Sequence, residues 1–344
     1  MTKAIVLLSG GLDSLLAAKL LKDQGIKVQG LTFVTPFFNP SASLGAGSLG
    51  IPLRVVDISE EHFKLLKDPP HGYGKNVNPC IDCHGLMLKK AKEMMSRAAG
   101  FRYAGKKEGY DFVATGEVLG QRPMSQNKQS LAVVEKLAGL EGYLLRPLSA
   151  QLLKETIPEQ RGLVNRSKLL GLSGKQRKAQ MALAKKWKIK EYATPSGGCL
   201  LTDPGYAERF KKLQKAFPYF NLHEVELLKY GRLFIDPASS DAGRGSDYLF
   251  IVGRNQKDDL AIKKIAAKDD VLLEIKDIPG PITLLHFFRV TRAPVPERIK
   301  KTALEKAAGK TVRYGNKRVR EKDEIMVLVG DKEEMVVKTK KLFL

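Results

Sequence analysis

The fold is decided by the stretch Ala4-Ile5-Val6-Leu7-Leu8-Ser9-Gly10-Gly11-Leu12-Asp13-Ser14. It opens with an apolar run of the kind that forms a buried strand in a parallel sheet. Gly10 and Gly11 follow, and glycine lets the backbone turn sharply and approach a ligand closely. Apolar residues at helical spacing then predict a helix from near Leu12 to near Gly25. Because the first N–H groups of a helix have no intrahelical partner, this turn can bind a phosphate.

The turn differs from two common nucleotide-binding loops. It has neither the Gly-Lys-Ser/Thr ending of the P-loop nor the Gly-x-Gly-x-x-Gly pattern of dinucleotide-binding folds. Ser9-Gly10-Gly11-Leu12-Asp13-Ser14 instead resembles the Ser-Gly-Gly-x-Asp-Ser signature of the PP-loop ATP pyrophosphatases. The resemblance implies an α/β fold of the adenine nucleotide alpha-hydrolase type, with ATP bound at this turn. Asp13 then positions Mg²⁺, or caps the helix. A strand–turn–helix with accidental glycines is the alternative.

Composition indicates a polyanionic partner. The 344 residues include 59 basic and 37 acidic side chains, which gives a net charge of +22. Such an excess favours nucleic acid as a partner, although a basic proteome or a thermophile's surface lysines would also produce it. The three cysteines are too few for a disulfide framework and favour a reducing cytoplasm. We expect no membrane segment, since no apolar run is long enough to span a bilayer, and no signal peptide, since the chain enters a predicted strand directly.

Strands and helices alternate along the first part of the chain. This pattern predicts a parallel sheet with helices on both faces. The predicted strands are 4–8, 28–34, 53–57 and 111–114, and the predicted helices are 12–24, 59–67 and 84–99. Ligands bind beyond the carboxyl ends of such strands. We therefore expect Ser9–Ser14, Thr35–Phe38, Asp57 and Thr115–Gly116 to line one crevice.

The rest of the chain predicts a second region. Residues 68–84 form an irregular cysteine loop, and residues 150–192 are strongly basic and predicted to be helical. The composition changes after about residue 204, where short strands alternate with helices. We therefore predict a catalytic domain over 1–204 and α+β structure over 205–344, with a division into two modules near 280 allowed by Pro279-Gly280-Pro281.

The cysteines are the second chemical signal. Cys80 and Cys83 form a Cys-x-x-Cys pair after Asn78-Pro79, and Cys199 follows Gly197-Gly198, so we expect all three on loops. Three thiolates leave one iron of a [4Fe-4S] cluster open for a hydrosulfide. Catalytic persulfide or disulfide chemistry, a zinc site completed by His84, and three inert thiols are the alternatives.

Further blocks resemble tRNA thiouridine synthetases. Thr115-Gly116-Glu117-Val118-Leu119-Gly120-Gln121 with Ser125-Gln126, then Leu145-Arg146-Pro147-Leu148 and Lys154-Glu155-Thr156, resemble the 4-thiouridine synthetases. Asn78-Pro79-Cys80 resembles the 2-thiouridylases of the tRNA wobble position, and the three cysteines resemble the iron–sulfur-dependent members of this group. The resemblance covers roughly residues 1–200.

The resemblance implies ATP-dependent tRNA thiolation. A uridine carbonyl is adenylated and then replaced by sulfur, with 4-thiouridine as the expected product. Wobble 2-thiouridine, or another PP-loop reaction that forms an amide or amine, is the alternative. A non-enzymatic RNA-binding protein with a relic ATP site is a further one. The implied partners are tRNA and a sulfur donor, either sulfide or a persulfide-carrying protein, and a homodimer is allowed.

The resemblance also assigns roles to individual residues. Arg122, Arg146 and Lys154 are candidates to offset phosphate charge. The implied catalytic residues are Asp13, Cys80, Cys83 and Cys199, of which the three cysteines are also the metal ligands. The implied nucleotide-binding residues are Ser9, Gly10, Gly11, Leu12, Asp13, Ser14, Thr35, Thr115, Gly116, Gln121 and Arg146.

RNA recognition and the histidines complete the expectations. The 4-thiouridine synthetases have a THUMP domain before the PP-loop, whereas this chain begins at that loop, so we expect RNA binding by 205–344 with help from 150–192. Tyr248–Asn255 resembles the start of a small RNA-binding module of ribosome-associated proteins. His62, His223 and His286 lie in apolar or helical contexts and are predicted to be structural. His71 and His84 flank the cysteine loop and are candidate catalytic or supporting groups.

Overall fold

The computed structural model describes residues 1–38, 42–97, 109–193, 199–235, 248–288, 295–330, 333–339 and 342. The chain divides into two compact units, Met1–Asp203 and Pro204–Leu344. Within the described ranges, none of the helices combines the length and the apolar character needed to cross a membrane.

The first unit alternates strands and helices. In chain order its elements are β1 (Lys3–Leu7), α1 (Leu12–Lys22), β2 (Lys27–Val34), α2 (Ala42–Ser48), β3 (Leu53–Asp57), α3 (Ser59–Lys67), α4 (Cys80–Arg97), β4 (Phe112–Ala114), α5 (Lys128–Ala138), β5 (Leu144–Leu145), α6 (Ile157–Gln160) and α7 (Lys178–Lys186). Short 3₁₀ turns lie at Ala150–Leu152, Arg166–Lys168 and Leu200–Thr202.

The five strands form a parallel sheet in the order β3-β2-β1-β4-β5. Alternate residues of β1 serve opposite faces: Ala4 and Val6 pack with the leucines of α1, and Ile5 packs with residues of α4 and α5. The predicted α/β sheet with helices on both faces is therefore confirmed. From β1 the strands β2 and β3 follow on one side, and β4 and β5 lie on the other side, so the strand order reverses between β1 and β4. Open parallel sheets bind ligands at such a point.

The basic stretch 150–192 is not the helical region that we expected. It contains the four-residue α6, the nine-residue α7 and two 3₁₀ turns, joined by irregular backbone. Gly162 follows the end of α6 and Gly174 lies before α7, and both adopt positive φ angles, of 67° and 81°, that do not occur inside a right-handed helix. The prediction gave too much weight to composition and too little to these glycines.

The second unit contains a separate antiparallel sheet. Its elements are α8 (Pro204–Ala216), α9 (Leu222–Leu227), β6 (Arg232–Ile235), β7 (Tyr248–Val252), α10 (Gln256–Ile265), β8 (Val271–Ile275), β9 (Thr283–Phe287), α11 (Glu297–Arg313), α12 (Lys317–Arg320), β10 (Glu324–Val329) and β11 (Glu333–Lys338). The strand order is β11-β10-β8-β9-β7-β6. Strands on both sides of residue 280 thus belong to one sheet, and no division into two modules separates them.

Candidate active site

The turn between β1 and α1 presents backbone N–H groups to the carboxyl edge of the sheet. Gly10 has a φ of 80°, and Gly11 caps α1 without any side-chain hydrogen bond to the first turn. The Ser14 hydroxyl donates to the Gly11 carbonyl at 2.8 Å, which steadies the turn. Ser9 is exposed. This arrangement leaves the N-terminus of an 11-residue helix free for an anion.

Gly116 brings the end of β4 against this turn. A Cβ atom built at Gly116 would lie 2.4 Å from the backbone nitrogen of Ser14. Any other side chain would therefore push the β4 end away from α1. The resemblance named Gly116 as a binding residue, and the structure adds a reason in packing for glycine at that position.

Asp13 lies in a small polar network. Its Oδ2 accepts a hydrogen bond from Gln121 Nε2 at 2.7 Å, and Gln180 Nε2 donates to Gln121 Oε1 at 3.3 Å. The Asp13 Oδ1 atom is buried and has no hydrogen-bond partner among the described residues, with Arg177 Nη2 4.0 Å away. An unpaired buried carboxylate oxygen is costly unless a ligand or ion satisfies it, so Asp13 Oδ1 is a candidate ligand atom.

Arg146 is held inside the fold instead of facing a nucleotide. It is 5% exposed, and its guanidinium donates to Glu117 at 3.0 Å, Glu135 at 3.0 Å and the Leu131 carbonyl at 3.0 Å. These contacts give Arg146 a structural role, and its expected contact with ATP stays a prediction. The sequence pattern placed Arg146 at the correct edge but could not reveal its acidic partners.

Glu117 connects this edge to α4, the helix that carries Cys80 and Cys83 and is called the cysteine helix below. It accepts hydrogen bonds from Thr115 Oγ1 at 2.9 Å and from Arg146, and His84 Nδ1 lies 3.2 Å away. Burial raises the pKa of Glu117, but the Arg146 charge and the His84 contact outweigh it and bring the pKa to about 2. Glu117 therefore stays ionised and fixes the positions of Thr115 and His84.

Thr35 shapes the turn that follows β2. Its Oγ1 accepts from the backbone N–H groups of Phe37 at 3.1 Å and Phe38 at 3.3 Å. The Phe37 carbonyl in turn accepts from Leu200 N–H at 3.2 Å, which fixes the residue next to Cys199. Thr35 thus positions a segment of the cysteine site as well as the sheet edge.

Two of the cysteines occupy a helix, not the loop that we predicted. Cys80 and Cys83 are the first and fourth residues of α4. The Asn-Pro pair suggested a loop, but a proline just before a helix needs no N–H partner and is well suited to starting one. Cys83 N–H donates to the Pro79 carbonyl at 2.8 Å. A spacing of three residues puts both thiols on one helix face.

Cys199 comes to the same region from a distant part of the chain. Ala193 N–H donates to the Gly10 carbonyl at 2.8 Å, so Ala193 lies beside the Ser9–Ser14 turn, which is called the phosphate turn below. Residues 194–198, which include the expected Gly197-Gly198 pair, lie outside the described residues. Cys199 comes six residues after Ala193, so the two residues are at most about 20 Å apart.

The three thiols are close enough to influence one another's ionisation. Burial raises the pKa of Cys83 far above its usual value, and negative charge on Cys199 or Cys80 would raise it further. Burial also raises the pKa of Cys199, to about 11, and Cys80 adds to that shift. The thiols are therefore protonated in the metal-free protein, and a bound cationic group would favour their thiolate forms.

The arrangement of the three cysteines does not fit a single zinc ion well. Thiolates that share one tetrahedral Zn²⁺ lie about 4 Å apart. Among the described residues, the three cysteines do not form a group whose ligand atoms all lie within 4.8 Å of one another. The one group that does lies in the second unit. The expected fourth zinc ligand, His84, directs its Nδ1 toward Glu117, so it could reach a metal only through Nε2.

Arg122 links the cysteines to the phosphate turn. Burial raises the pKa of Cys80, and the Arg122 charge opposes that rise. Its neighbour Gln121 is bonded to Asp13. One tight turn therefore reaches both parts of the site. The other cation from the sequence, Lys154, is exposed, and no contact of it with this site is observed among the described residues.

The remaining histidines have specific partners. His71 Nδ1 lies 2.7 Å from Asp82 Oδ1, and His71 N–H donates to Asp82 Oδ2 at 3.0 Å, which ties the loop to the cysteine helix. His62 is fully buried against Phe37 and Phe38. His223 lies in the helix α9 and His286 in the strand β9, and both lie beside carboxylates.

Sequence reasoning missed several residues that support the site. Asp82 lies inside the Cys-x-x-Cys pair and Glu117 inside a quoted block, so their neighbours were a signal that could have found them. Arg177 was noted only as part of a basic region. Gln180 carries no sequence signal, because its role arises from the packing of α7 against α1.

The parallel sheet, the Gly-Gly turn and α1 together define a PP-loop domain. Residues 1–160, slightly less than half of the chain, match the family described as thiamine biosynthesis protein ThiI, so this part of the chain is similar to that family.

Individual relatives are similar in sequence to part of the chain. A tRNA-specific 2-thiouridylase MnmA from Pelobacter propionicus is 29% identical over 173 residues, which are 45% of this chain and 44% of that protein. The MnmA of Sulfurimonas denitrificans is 36% identical over 132 residues, which are 35% of this chain and 36% of that protein. The chain thus spans less than half the length of these relatives.

A solved structure also resembles part of the chain. It is the U34-tRNA thiolase NcsA from Methanococcus maripaludis with its [4Fe-4S] cluster, at 19% identity and a TM-score of 0.26. The matched region covers 67% of this chain and 73% of NcsA.

Proposed function

We propose that the protein is an ATP-dependent tRNA sulfurtransferase that makes 2-thiouridine. One observation carries the proposal: the Gln121–Arg122 turn reaches both Asp13 of the phosphate turn and the Cys80 thiol. An ATP site and a group of thiols therefore share one edge of the sheet. The names of the relatives support sulfur insertion at the 2-position of uridine over our expectation of the 4-position.

The first step is activation of the uridine. ATP binds with its phosphates at the N-terminus of α1, where backbone N–H groups favour negative charge. The uridine carbonyl oxygen attacks the α-phosphorus, the bond to the β-phosphate oxygen breaks, and pyrophosphate leaves. The unpaired Oδ1 of Asp13 is suited to holding the Mg²⁺ that accompanies ATP.

The second step replaces oxygen by sulfur. A sulfur nucleophile adds to the activated ring carbon, the carbon–oxygen bond breaks, and AMP leaves with the former carbonyl oxygen. AMP is a good leaving group, whereas the oxygen of a free carbonyl is not. The base must leave its stack to reach the sheet edge, which costs less at an unpaired tRNA position.

The cysteines fit an iron–sulfur cluster. Cys80, Cys83 and Cys199 provide soft donors from two separate segments, and their raised pKa values mean that a cationic group is needed to hold them as thiolates. When bound, a three-cysteine [4Fe-4S] cluster supplies an iron with an open position for sulfide. In the persulfide alternative, one of these cysteines carries the sulfur and another resolves a disulfide, without iron.

A basic cavity beside the cysteine helix is suited to tRNA phosphates. It has a volume of about 460 Å³ and is lined by Lys89, Lys92 and Lys136, with Glu93 as its one acidic group. Lys89 and Lys92 lie about 14 to 18 Å along α4 from Cys80. Phosphate contacts at that distance would orient an RNA strand without reading its sequence.

The second unit is the other proposed RNA-binding region. The resemblance pointed to Tyr248–Asn255, but all five residues of β7 (Tyr248–Val252) are buried and form the core of the sheet. RNA contacts in this unit would therefore come from exposed side chains outside β7. Arg232 stacks 4.5 Å from the Tyr314 ring centroid, which is an arrangement that can also stack a base.

Nucleoside analysis tests the proposed function. Protein purified without oxygen is incubated with tRNA, ATP, Mg²⁺ and sulfide, and the digested tRNA is analysed by mass spectrometry. We expect 2-thiouridine only when ATP and all three cysteines are present, and iron and sulfide in the purified protein. Thiolation by an iron-free protein that requires a persulfide-carrying protein in place of sulfide would select the persulfide alternative. An amine or amide adduct without sulfur would overturn the proposal.

A further inference from the structure

A second cluster of ligand-type side chains lies in the unit Pro204–Leu344. His223 and Glu224 are in the first turn of α9, Asp270 precedes β8, and His286 is in β9. Among the described residues, His223, Asp270 and His286 are the group whose ligand atoms all lie within 4.8 Å of one another. The cluster has no part in the sulfur chemistry proposed above.

Asp270 is at the centre of the cluster. Its Oδ2 lies 2.8 Å from His223 Nε2, and its Oδ1 lies 2.7 Å from His286 Nδ1. The Asp270 side chain is fully buried, and Ala267 N–H donates to Oδ2 at 2.8 Å. Two imidazole nitrogens thus approach the two oxygens of one carboxylate. Ligands of one Zn²⁺ or Fe²⁺ ion are separated by about 3 Å, so small shifts of the rings would admit an ion.

Glu224 holds the far side of one ring. His286 Nε2 lies 3.1 Å from Glu224 Oε1, and Glu224 Oε2 accepts from Asn221 N–H at 2.7 Å. A histidine that binds a metal through one nitrogen commonly donates from the other to a carboxylate, which sets its orientation. Glu224 therefore leaves His286 Nδ1 facing Asp270.

Charge and access both favour a cation. Asp270 and Glu224 bring two carboxylates into a largely buried cluster, where unbalanced negative charge is costly. The His223 side chain is 23% exposed, which leaves an entry route and room for a water ligand. A protonated His286 between the carboxylates is the competing way to balance the charge.

We propose that His223, Asp270 and His286 bind a divalent transition-metal ion, with Glu224 as the residue that orients His286. Two imidazoles and one carboxylate are a donor set typical of Zn²⁺ and Fe²⁺ sites with an open position. The ion would join α9 to the turn before β8 and to β9.

Zinc binding by the full-length chain tests this proposal. The three cysteines are replaced by serine so that thiolates contribute nothing, and Zn²⁺ content and affinity are measured after removal of all metal. We expect one zinc per chain in this background, and at least tenfold weaker binding in His223→Gln and Asp270→Asn. Glu226→Gln is the matched control, because Glu226 lies on the same helix and pairs with Lys229. It should bind zinc normally.

A second measurement keeps the test decisive if the serine background does not fold. Co²⁺ is added to the metal-free native chain, where nitrogen- and oxygen-bound cobalt shows visible bands without the intense thiolate charge-transfer bands. Loss of these bands in His223→Gln but not in Glu226→Gln would support the proposal. Equal metal binding by His223→Gln and Glu226→Gln, or no binding by either, would overturn it and leave an ionic hydrogen-bond network.

Discussion

Gln121 Nε2 donates a hydrogen bond to Asp13 Oδ2 at 2.7 Å and thereby fastens the turn after β4 to the phosphate turn after β1. The next residue, Arg122, lowers the pKa of Cys80 against the effect of burial. The ATP site and the thiols are thus joined through two consecutive residues. This connection makes the site more than two unrelated motifs on one sheet.

Removing this hydrogen bond should impair activation. In Gln121→Leu, the Asp13 carboxylate loses the one hydrogen-bond partner that it has among the described residues, and we expect about tenfold slower tRNA-dependent release of pyrophosphate. Asp13→Asn should be slower still, by about a hundredfold or more, because it also removes the charge. Gln160→Leu is the control, since Gln160 is exposed at the end of α6. Equal rates in Gln121→Leu and Gln160→Leu would contradict the role of the bond.

Thiol reactivity should depend on Arg122. In the metal-free protein, Arg122→Gln removes a charge that favours the Cys80 thiolate, so alkylation of Cys80 at neutral pH should slow several-fold. Peptide mass spectrometry measures each cysteine separately, and Cys83, which is buried, should react slowest. Lys154→Gln should leave the Cys80 rate unchanged. A Cys80 rate independent of Arg122 would place that arginine elsewhere in solution.

Gly116 should not tolerate a larger residue. In Gly116→Ala the new Cβ would collide with the backbone of Ser14, so we expect a loss of about 2 kcal/mol in the free energy of unfolding. ATP binding should weaken as well, because the first turn of α1 must move. Gly47→Ala is the matched control, because a Cβ there meets nothing within 4 Å. Denaturant titration distinguishes the two variants, and equal stability would refute the close approach.

The buried His62 should make the protein sensitive to acid. Burial lowers the pKa of His62 to about 4 in the folded state, whereas it is 6.5 in the unfolded chain. The unfolded state therefore binds a proton first as the pH falls, and stability drops between pH 6.5 and pH 4. From pH 8 to pH 5 this loss is about 2 kcal/mol.

The variant His62→Phe isolates this effect. Phenylalanine suits the contacts with Phe37 and Phe38 and has no unpaired ring nitrogen. We expect its stability to fall about 2 kcal/mol less than that of the parent protein between pH 8 and pH 5. Parallel stability curves for the two proteins over that range would show that His62 is not held neutral.

The sequence predicted the first sheet well because the apolar run before Ser9 and the Gly-Gly turn are local signals. The sequence was less informative where the role of a residue depends on partners that are distant along the chain. Nothing in the sequence indicated that Glu117 and Glu135 hold the guanidinium of Arg146. The cysteine pair was predicted to lie on a loop because a proline can interrupt a helix. Here Pro79 instead precedes the start of α4.

Transfer of the carbonyl oxygen tests the central claim most directly. A tRNA transcript carrying oxygen-18 at the 2-position of its uridines is thiolated with ATP and sulfide, and the released AMP is analysed by mass spectrometry. If a carbonyl oxygen attacks the α-phosphorus, one labelled AMP should form for each 2-thiouridine, and a transcript labelled at the 4-position should give unlabelled AMP. Unlabelled AMP from both transcripts would contradict the account.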